Sequence, residues 1–164
     1  MITIELKQDQ VGPALAALGE LLDDLTPVMQ EIGEYLVDST RQRFVRGESP
    51  EGARWAPKSP VTLARYGARR SNRVDIRPLF GPSGALSTQI LTEATSDSVS
   101  VGSNLIYAAV MQFGAAQGAF GRTSRGGPIP WGPIPARPFL GLSPEDETAI
   151  TAITAEWLAR IDGS

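Results

Sequence analysis

Two short clusters of carboxylates are the residues of this sequence best suited to chemistry. Asp23 and Asp24 form the first cluster, and residues 145–147, Glu-Asp-Glu, form the second. Paired carboxylates can hold a divalent cation for hydrolysis, but neither cluster has the alternating oxygen-ligand spacing of a calcium loop. The second cluster follows Ser143 and Pro144, a typical helix start, where acidic side chains stabilise the positive end of the helix dipole. Helix initiation therefore explains this cluster without a metal ion.

The absence of two residue types limits the chemistry further. The sequence contains no histidine and no cysteine, which excludes Ser-His-Asp triads, histidine-zinc hydrolases, thiolate nucleophiles and sulfur-ligated zinc sites. Only Lys7 and Lys58 could serve Schiff-base chemistry. The glycine-rich residues 113–127 lack both the G-x-G-x-x-G pattern and the lysine of a Walker loop. We therefore predict a protein that is not an enzyme, with no catalytic residue, no metal site and no cofactor.

Charge is divided unevenly along the chain. Residues 1–40 carry eight acidic residues and one lysine, whereas residues 41–77 carry ten basic residues and three acidic ones. A protein with opposite charges on two faces can associate head to tail with its own copies, or can place its basic face against nucleic acid. The alternative is that the charged runs are only solvated surface. No helix-turn-helix, zinc-finger or stacking motif accompanies the basic segment. It therefore supports non-specific contact with phosphates and not the reading of a base sequence.

Two sets of arginines are candidate contact residues. The first set includes arginines at the C-terminal end of a predicted helix. Their charge complements the helix dipole, so no ligand is needed to explain them, but they could also reach a neighbouring subunit. The second set lies in a segment with no apolar period, which predicts a solvent-facing loop or a contact surface. The candidates for a subunit or partner interface are Arg41, Arg43, Arg46 and Arg137, and those for contact with DNA or a partner are Arg65, Arg69, Arg70, Arg73 and Arg77.

Hydrophobic periodicity predicts the elements that position these residues. Alternating apolar residues predict a strand over residues 1–7, and leucines at helical spacing predict a helix over residues 14–25. Thr26, as N-cap before a proline, predicts the start of a second helix, which continues toward Phe44 and stops at Gly47.

Further elements are predicted beyond Gly47. A short helix is predicted over residues 61–66, strands over residues 85–94 and 98–101, and a helix capped by Asn104 that ends at Gly114. The final helix begins after Ser143 and carries an apolar stripe that we expect to pack on the sheet or on a neighbour. The stripe consists of Ile150, Ile153, Trp157 and Ile161.

These elements predict an α+β fold, in which a small antiparallel or mixed sheet packs against two or three helices. The 164 residues fit a single domain, 1–164, that can bury a core, with two long irregular loops at 48–84 and 115–133. Residues 135–142 predict an extended edge strand, because each proline disfavours the helical region for the residue before it. The predicted loop and core anchors are Trp55, Phe139, Leu140 and Trp157.

Three stretches occur in a recognisable order: SPEGARWAPKSPVTL at 49–63, LFGPSGALSTQI at 79–90 leading to VSVGSNLIYAAVMQFG at 99–114, and IPARPFLGLSPED at 134–146. Together they resemble the phage virion morphogenesis or tail completion family of Mu-like and related tailed phages, with order and spacing that agree over residues 28–161. The matching positions are Gly52, Trp55, Pro57, Gly84, Leu86, Tyr107, Gln112, Gly114, Pro135, Arg137, Pro138, Phe139 and Leu140.

The resemblance implies a non-enzymatic structural protein of the virion, at the neck or tail end. It would form a homo-oligomeric ring, commonly a hexamer, that completes or terminates the tail and joins it to the head connector or stopper and the tail tube. DNA would pass through the lumen without sequence-specific binding. Assembly would occur in the host cytoplasm and without a membrane, since no apolar run approaches the roughly 20 residues of a membrane span. The alternative is a non-specific DNA-binding accessory protein that uses residues 41–77.

Overall fold

The computed structural model describes residues 24–68 and 75–162. Within them the chain forms five helices and one two-stranded antiparallel sheet, which confirms the predicted α+β fold. The strand predicted over residues 1–7 lies outside the described residues. Most of the helix predicted over residues 14–25 also lies outside the described residues. Its last two positions, 24 and 25, are described and are not helical.

Seven elements follow one another along the described chain. The two strands form a hairpin in which Leu91 lies opposite Gly102 and Ala94 lies opposite Val99. The elements are α1 Thr26–Arg46, α2 Pro60–Ala68, α3 Ala85–Thr88, β1 Leu91–Ala94, β2 Val99–Gly102, α4 Ala108–Phe113 and α5 Pro144–Asp162.

Helix α1 is the central element, because it packs against both strands of the hairpin and against α5. Its buried residues recur three and four positions apart from Val37 through Thr40 to Phe44, the spacing that keeps side chains on one face. The helix stops at Gly47 as predicted: this residue has a φ of 71°, and its N–H donates to the carbonyl oxygen of Arg43 at 2.7 Å. The cap falls on Leu25, one residue before the predicted position.

An aromatic cluster forms the core beneath α1. Phe44 and Phe139 are completely buried, and their ring centroids lie 5.3 Å apart. The Trp55 ring meets Phe44 edge-on at 5.6 Å, so this tryptophan attaches its loop to the core, and Leu140 is partly buried against the same cluster. Trp157 is half-buried on α5 and lies outside this cluster. Its helix packs on α1, and the predicted role of Trp157 as an anchor stays a prediction.

The strand predicted over residues 85–94 is wrong in its first half, where the chain forms α3. Gly84 has a φ of 62° and turns the chain, and its carbonyl oxygen accepts hydrogen bonds from the hydroxyls of Ser87 at 2.9 Å and Thr88 at 3.2 Å. Hydroxyl side chains that bond to a nearby carbonyl in this way stabilise a local turn in competition with a sheet. The strand begins only at Leu91.

Helix α4 begins later than predicted, at Ala108, and Asn104 does not cap it. A turn precedes the helix, in which the N–H of Ala108 donates to Leu105 O at 2.9 Å. Tyr107 is 40% exposed and Phe113 is 78% exposed, so these two aromatic side chains do not pack into the core.

Gly33 allows α1 to approach the hairpin closely, and a larger residue there should destabilise the fold. A Cβ atom at Gly33 would overlap Oγ1 of Thr92 and lie 2.9 Å from Cγ2 of Val99. We expect Gly33→Leu to lower the free energy of unfolding by about 2 kcal/mol or more, because overpacking a close contact forces side chains and backbone apart. Denaturation with urea measures the change. Gly102→Ala is the control, since no atom lies within 4 Å of its Cβ position, and a Gly33→Leu variant as stable as this control would contradict the close approach.

Candidate functional site

Residues 135–142 bring Arg137 and Phe139 into the core, and a side chain of α4 takes the place of a neighbouring strand. The Oε1 atom of Gln112 accepts hydrogen bonds from the N–H groups of Phe139 at 2.9 Å and Leu140 at 3.0 Å, and its Nε2 donates to Leu140 O at 3.0 Å. The N–H of Arg137 donates to Met111 O at 2.8 Å. The segment is therefore not the edge strand that was predicted, because its partners are a side-chain amide and a helix end.

Arg137 joins this segment to the loop that carries Trp55. Its Nε donates to Ala56 O at 2.7 Å, and one of its terminal nitrogens donates to Pro57 O at 2.9 Å. Beside it, Nε1 of Trp55 donates to Pro138 O at 2.8 Å. The guanidinium is buried, and this burial lowers its pKa. The prediction that Arg137 contacts an adjacent subunit is corrected, because its fork is occupied by carbonyl groups of its own chain.

Arg43 and Asp146 form a buried ion pair between α1 and the start of α5. Their side chains are 2% and 1% exposed. One terminal nitrogen of Arg43 also donates to Phe139 O at 3.1 Å and Gly141 O at 2.8 Å. Arg43 is therefore a core residue, and the prediction that it reaches a neighbouring subunit is corrected for the same reason as for Arg137.

Asp146 also completes the cap of α5. It accepts a hydrogen bond from the N–H of Ser143 at 2.8 Å, while its own N–H donates to Ser143 Oγ at 3.1 Å, and this reciprocal pair is a capping box. Burial by itself raises the pKa of Asp146, but hydrogen bonds from Ser39 and Ser143 and the charge of Arg43 outweigh it, so the pKa lies below its usual value. Across the described ranges, no three metal-ligating side chains are grouped to hold an ion.

The other candidate arginines have separate surroundings. Arg41 is exposed and makes one long hydrogen bond, 3.4 Å, to Thr88 O. Arg46 is paired with Glu48 at 2.9 Å at the surface. Arg77 is paired with Asp75 and stacks over the Phe80 ring, with 3.5 Å from Cζ to the ring centroid, and its hydrogen bond lowers the pKa of Asp75. Arg65 lies exposed on α2, and Arg69, Arg70 and Arg73 lie outside the described residues.

Residues 115–133, which we call the arm, form an irregular hairpin that the sequence patterns did not reveal. Its backbone is paired at intervals: Ala115 exchanges two hydrogen bonds with Ile134, and the N–H of Phe120 donates to Ile129 O at 2.7 Å. At its base, a Cβ atom on Gly114 would lie 2.6 Å from Ile134 O, so only glycine fits there. Frequent glycine and proline hid the pairing, because they remove the alternation by which hairpins are recognised.

The arm and its base expose large apolar side chains. Phe120 is 55% exposed and Trp131 is 75% exposed. Just before the arm, Phe113 is 78% exposed and Ile106 is 97% exposed. Exposed aromatic residues concentrated in one stretch indicate a surface for protein contact.

Two grooves open on the body of the protein. The first, which we call the acidic groove, has a volume of about 790 Å³ and lies between α1, β1 and α5. Its lining comprises Glu31, Glu34, Tyr35, Val37, Asp38, Arg41, Ile90, Leu91, Thr92 and Ile153. The second, the proline groove, has a volume of about 590 Å³ and is lined by Lys58, Tyr66, Met111, Arg137 and several prolines.

The model of the phage virion morphogenesis family matches residues 6–159. The chain belongs to this family. It is 30% identical over 151 residues to the Mu-like prophage FluMu G protein 2 of Haemophilus influenzae, an alignment that covers 92% of this chain and 91% of that relative. No solved structure matches the chain.

Membership in the virion morphogenesis family indicates a structural or assembly role in the phage particle. Three of the positions that carry the family resemblance bond within the chain: Trp55 and Gln112 donate to or accept from the backbone of residues 135–142, and Arg137 donates to the loop that carries Trp55. In the part of the chain that the structure describes, no helix is long and apolar enough to cross a membrane. The arm and the two grooves are therefore the surfaces of this virion morphogenesis protein on which we look for partner contacts.

Removing the charge of Asp146 should destabilise the protein strongly. We expect Asp146→Asn to lower the free energy of unfolding by about 3–5 kcal/mol, because it leaves the Arg43 cation buried without a counter-ion. Glu48→Gln is the matched control, since it makes the same change in an exposed pair, for which we expect less than about 1 kcal/mol.

The same variant should change the acid sensitivity of the protein. A carboxyl whose pKa is lowered by folding contributes stability above its unfolded pKa, about 3.9, and that stability is lost as the pH falls through the folded value. Asp146→Asn should therefore flatten the decline of unfolding free energy below about pH 4. Urea titrations from pH 7 to pH 2 measure this, and an unchanged acid decline would show that Asp146 is not the group responsible.

Arg137→Lys should lower the stability of the single subunit. Lysine keeps the charge, but its single ammonium cannot reproduce the fork that bonds to Ala56 O and Pro57 O. We expect the free energy of unfolding to fall by about 1–3 kcal/mol, whereas Arg41→Lys at the exposed position should change it by less than about 0.5 kcal/mol. Loss of self-association with unchanged stability in Arg137→Lys would restore the interface role that we have corrected.

Proposed function

We propose that this protein is a subunit of a homo-oligomeric ring at the head-tail interface of a tailed phage. The ring completes or terminates the tail and joins it to the head connector or stopper and to the tail tube, while DNA passes through its lumen. A hexamer is the copy number that we expect. The protein works without catalysis, is assembled in the host cytoplasm, and resides in the neck or tail end of the virion.

The arm is the observation that carries this proposal. The polar groups of the family motifs are used to close the protein on itself, so they leave little capacity for a partner. The arm does the opposite, because it holds Phe120 and Trp131 in solvent on a backbone stiffened by its own hydrogen bonds. A preorganised apolar projection on a compact body favours repeated contact with identical neighbours, and a head-to-tail contact of this kind closes into a ring when the rotation permits.

The alternative function, non-specific DNA binding through residues 41–77, draws less support. Arg43 is buried against Asp146, and Arg46 and Arg77 are paired with Glu48 and Asp75. Charges that are neutralised within the chain contribute little to the counterion release that drives non-specific DNA binding. A conduit through which DNA slides is also better served by weak contact with phosphates.

The proposal is tested by the assembly state of the purified protein and by the phenotype of its loss. We expect light scattering to show a mass several times the 17.5 kDa of the chain, and electron microscopy to show closed rings with a central hole. Phage particles assembled without the gene should accumulate filled heads and unjoined tails, and an added copy of the gene should restore joining. A protein that stays monomeric, neither assembles on tails nor occurs in virions would overturn the proposal.

DNA binding is measured in parallel. Filter binding at low salt distinguishes the alternative, because it predicts retention of DNA that falls steeply as salt rises. A ring without such retention supports the structural function, and retention by a protein that forms no ring supports the alternative.

A further inference from the structure

The arm is basic as well as apolar. Residues 115–133 include Arg122 and Arg125 and no acidic residue. Both arginines are exposed, and the side chain of Arg122 donates a hydrogen bond to Gly126 O at 3.1 Å within the arm itself. Neither arginine takes part in an ion pair with any described residue. The arm therefore carries two positive charges that no described carboxylate pairs with, in the same stretch as its exposed aromatic side chains.

The acidic groove has the complementary character. Val37 and Ile90 are buried in its floor, and Leu91 and Ile153 add further apolar surface. Along α1, Glu34 and Asp38 are exposed and lie one helical turn apart. Neither carboxylate is in an ion pair within residues 24–68 and 75–162. The groove thus combines an apolar floor with a negative rim.

Glu31 and Arg41 also lie on this rim. Glu31 is paired with Arg160 at 2.8 Å, and Arg41 contributes one positive charge. Two carboxylates, those of Glu34 and Asp38, therefore remain to attract an incoming cation.

We propose that the arm of one copy docks into the acidic groove of the next copy in the ring. The inference deepens the proposed function and rests on it. Phe120 and Trp131 would cover the apolar floor, and Arg122 and Arg125 would meet the carboxylates of the rim. In a single copy both aromatic residues are exposed, so the chain's own groove does not cover them. Because arm and groove are different surfaces, the contact is heterologous and can repeat around a closed ring.

The proline groove is a poorer match for the arm. Among the described residues its lining contains Lys58 and Arg137 but no carboxylate, so it would repel a basic arm. The acidic groove, with a volume of about 790 Å³, is lined by three carboxylates and one arginine, so its charge is opposite to that of the arm. Charge therefore favours the acidic groove.

Two charge-reversed variants test the contact. In R122E/R125E the arm becomes acidic, and in E34K/D38K the groove becomes basic, so each variant alone sets like charges against each other. We expect the concentration needed for assembly to rise by about tenfold or more in each. An equal mixture should assemble again, because every acidic arm then meets a basic groove and every basic arm meets an acidic one. The two variants would alternate around the ring, which closes without a mismatch when the copy number is even.

Light scattering and electron microscopy of the two variants and their mixture give the readout. The control is E51K/E156K, two exposed glutamates outside both surfaces, which changes net charge as E34K/D38K does and should assemble normally. Assembly restored by mixing supports the contact, and it also shows that both variants are folded. Normal assembly of either variant alone, no recovery in the mixture, or an equal loss in the control overturns it. If the wild-type chain assembles but the mixture of the two variants does not, only the proposed contact between arm and groove is wrong. A wild-type chain that stays monomeric overturns the proposed ring as well.

Discussion

The structure depends on how one irregular length of backbone satisfies its polar groups where it enters the core. Residues 135–142 carry the buried Arg137 and Phe139 without a neighbouring strand, and a buried N–H or C=O group left without a partner costs about 1–3 kcal/mol. Side chains supply the partners. Gln112 acts as a short strand would, Arg43 and Trp55 donate to carbonyl groups, and Phe139 fills the space that they enclose. The family motifs therefore belong to one network, although they are distant in sequence.

Asp146 links local and tertiary structure in that network. The same carboxylate caps α5 and neutralises Arg43 on α1, so the end of one helix cannot fray without exposing a buried cation in another. This arrangement makes the folding of α5 conditional on the core, which suits a helix whose apolar stripe is only half-buried. The hydrogen bonds around the carboxylate stabilise its ionised form, which is the form that the ion pair requires.

The parts of the fold that were predictable are those set by neighbouring residues. Gly47 ends α1 because a left-handed residue is needed there, and Ser143 with Asp146 starts α5 through local hydrogen bonds. The burial of Arg43 was not predictable, because its partner lies 103 residues away and an exposed arginine at a helix end has the same local sequence. The arm was missed for a related reason: its pairing is specified by turns and backbone contacts and not by an apolar period.

Gly114 gives the arm a fixed direction. Its backbone has a φ of 74°, and any side chain would strike Ile134 O and the N–H of Ala136, which belongs to the stretch leading into the core. The angle at which the arm leaves the body is thus determined by the packing of the interior. In the proposed ring, that angle contributes to the rotation from each subunit to the next. The number of subunits would then be encoded partly in the buried core, so that a substitution far from any contact surface could change the diameter of the channel.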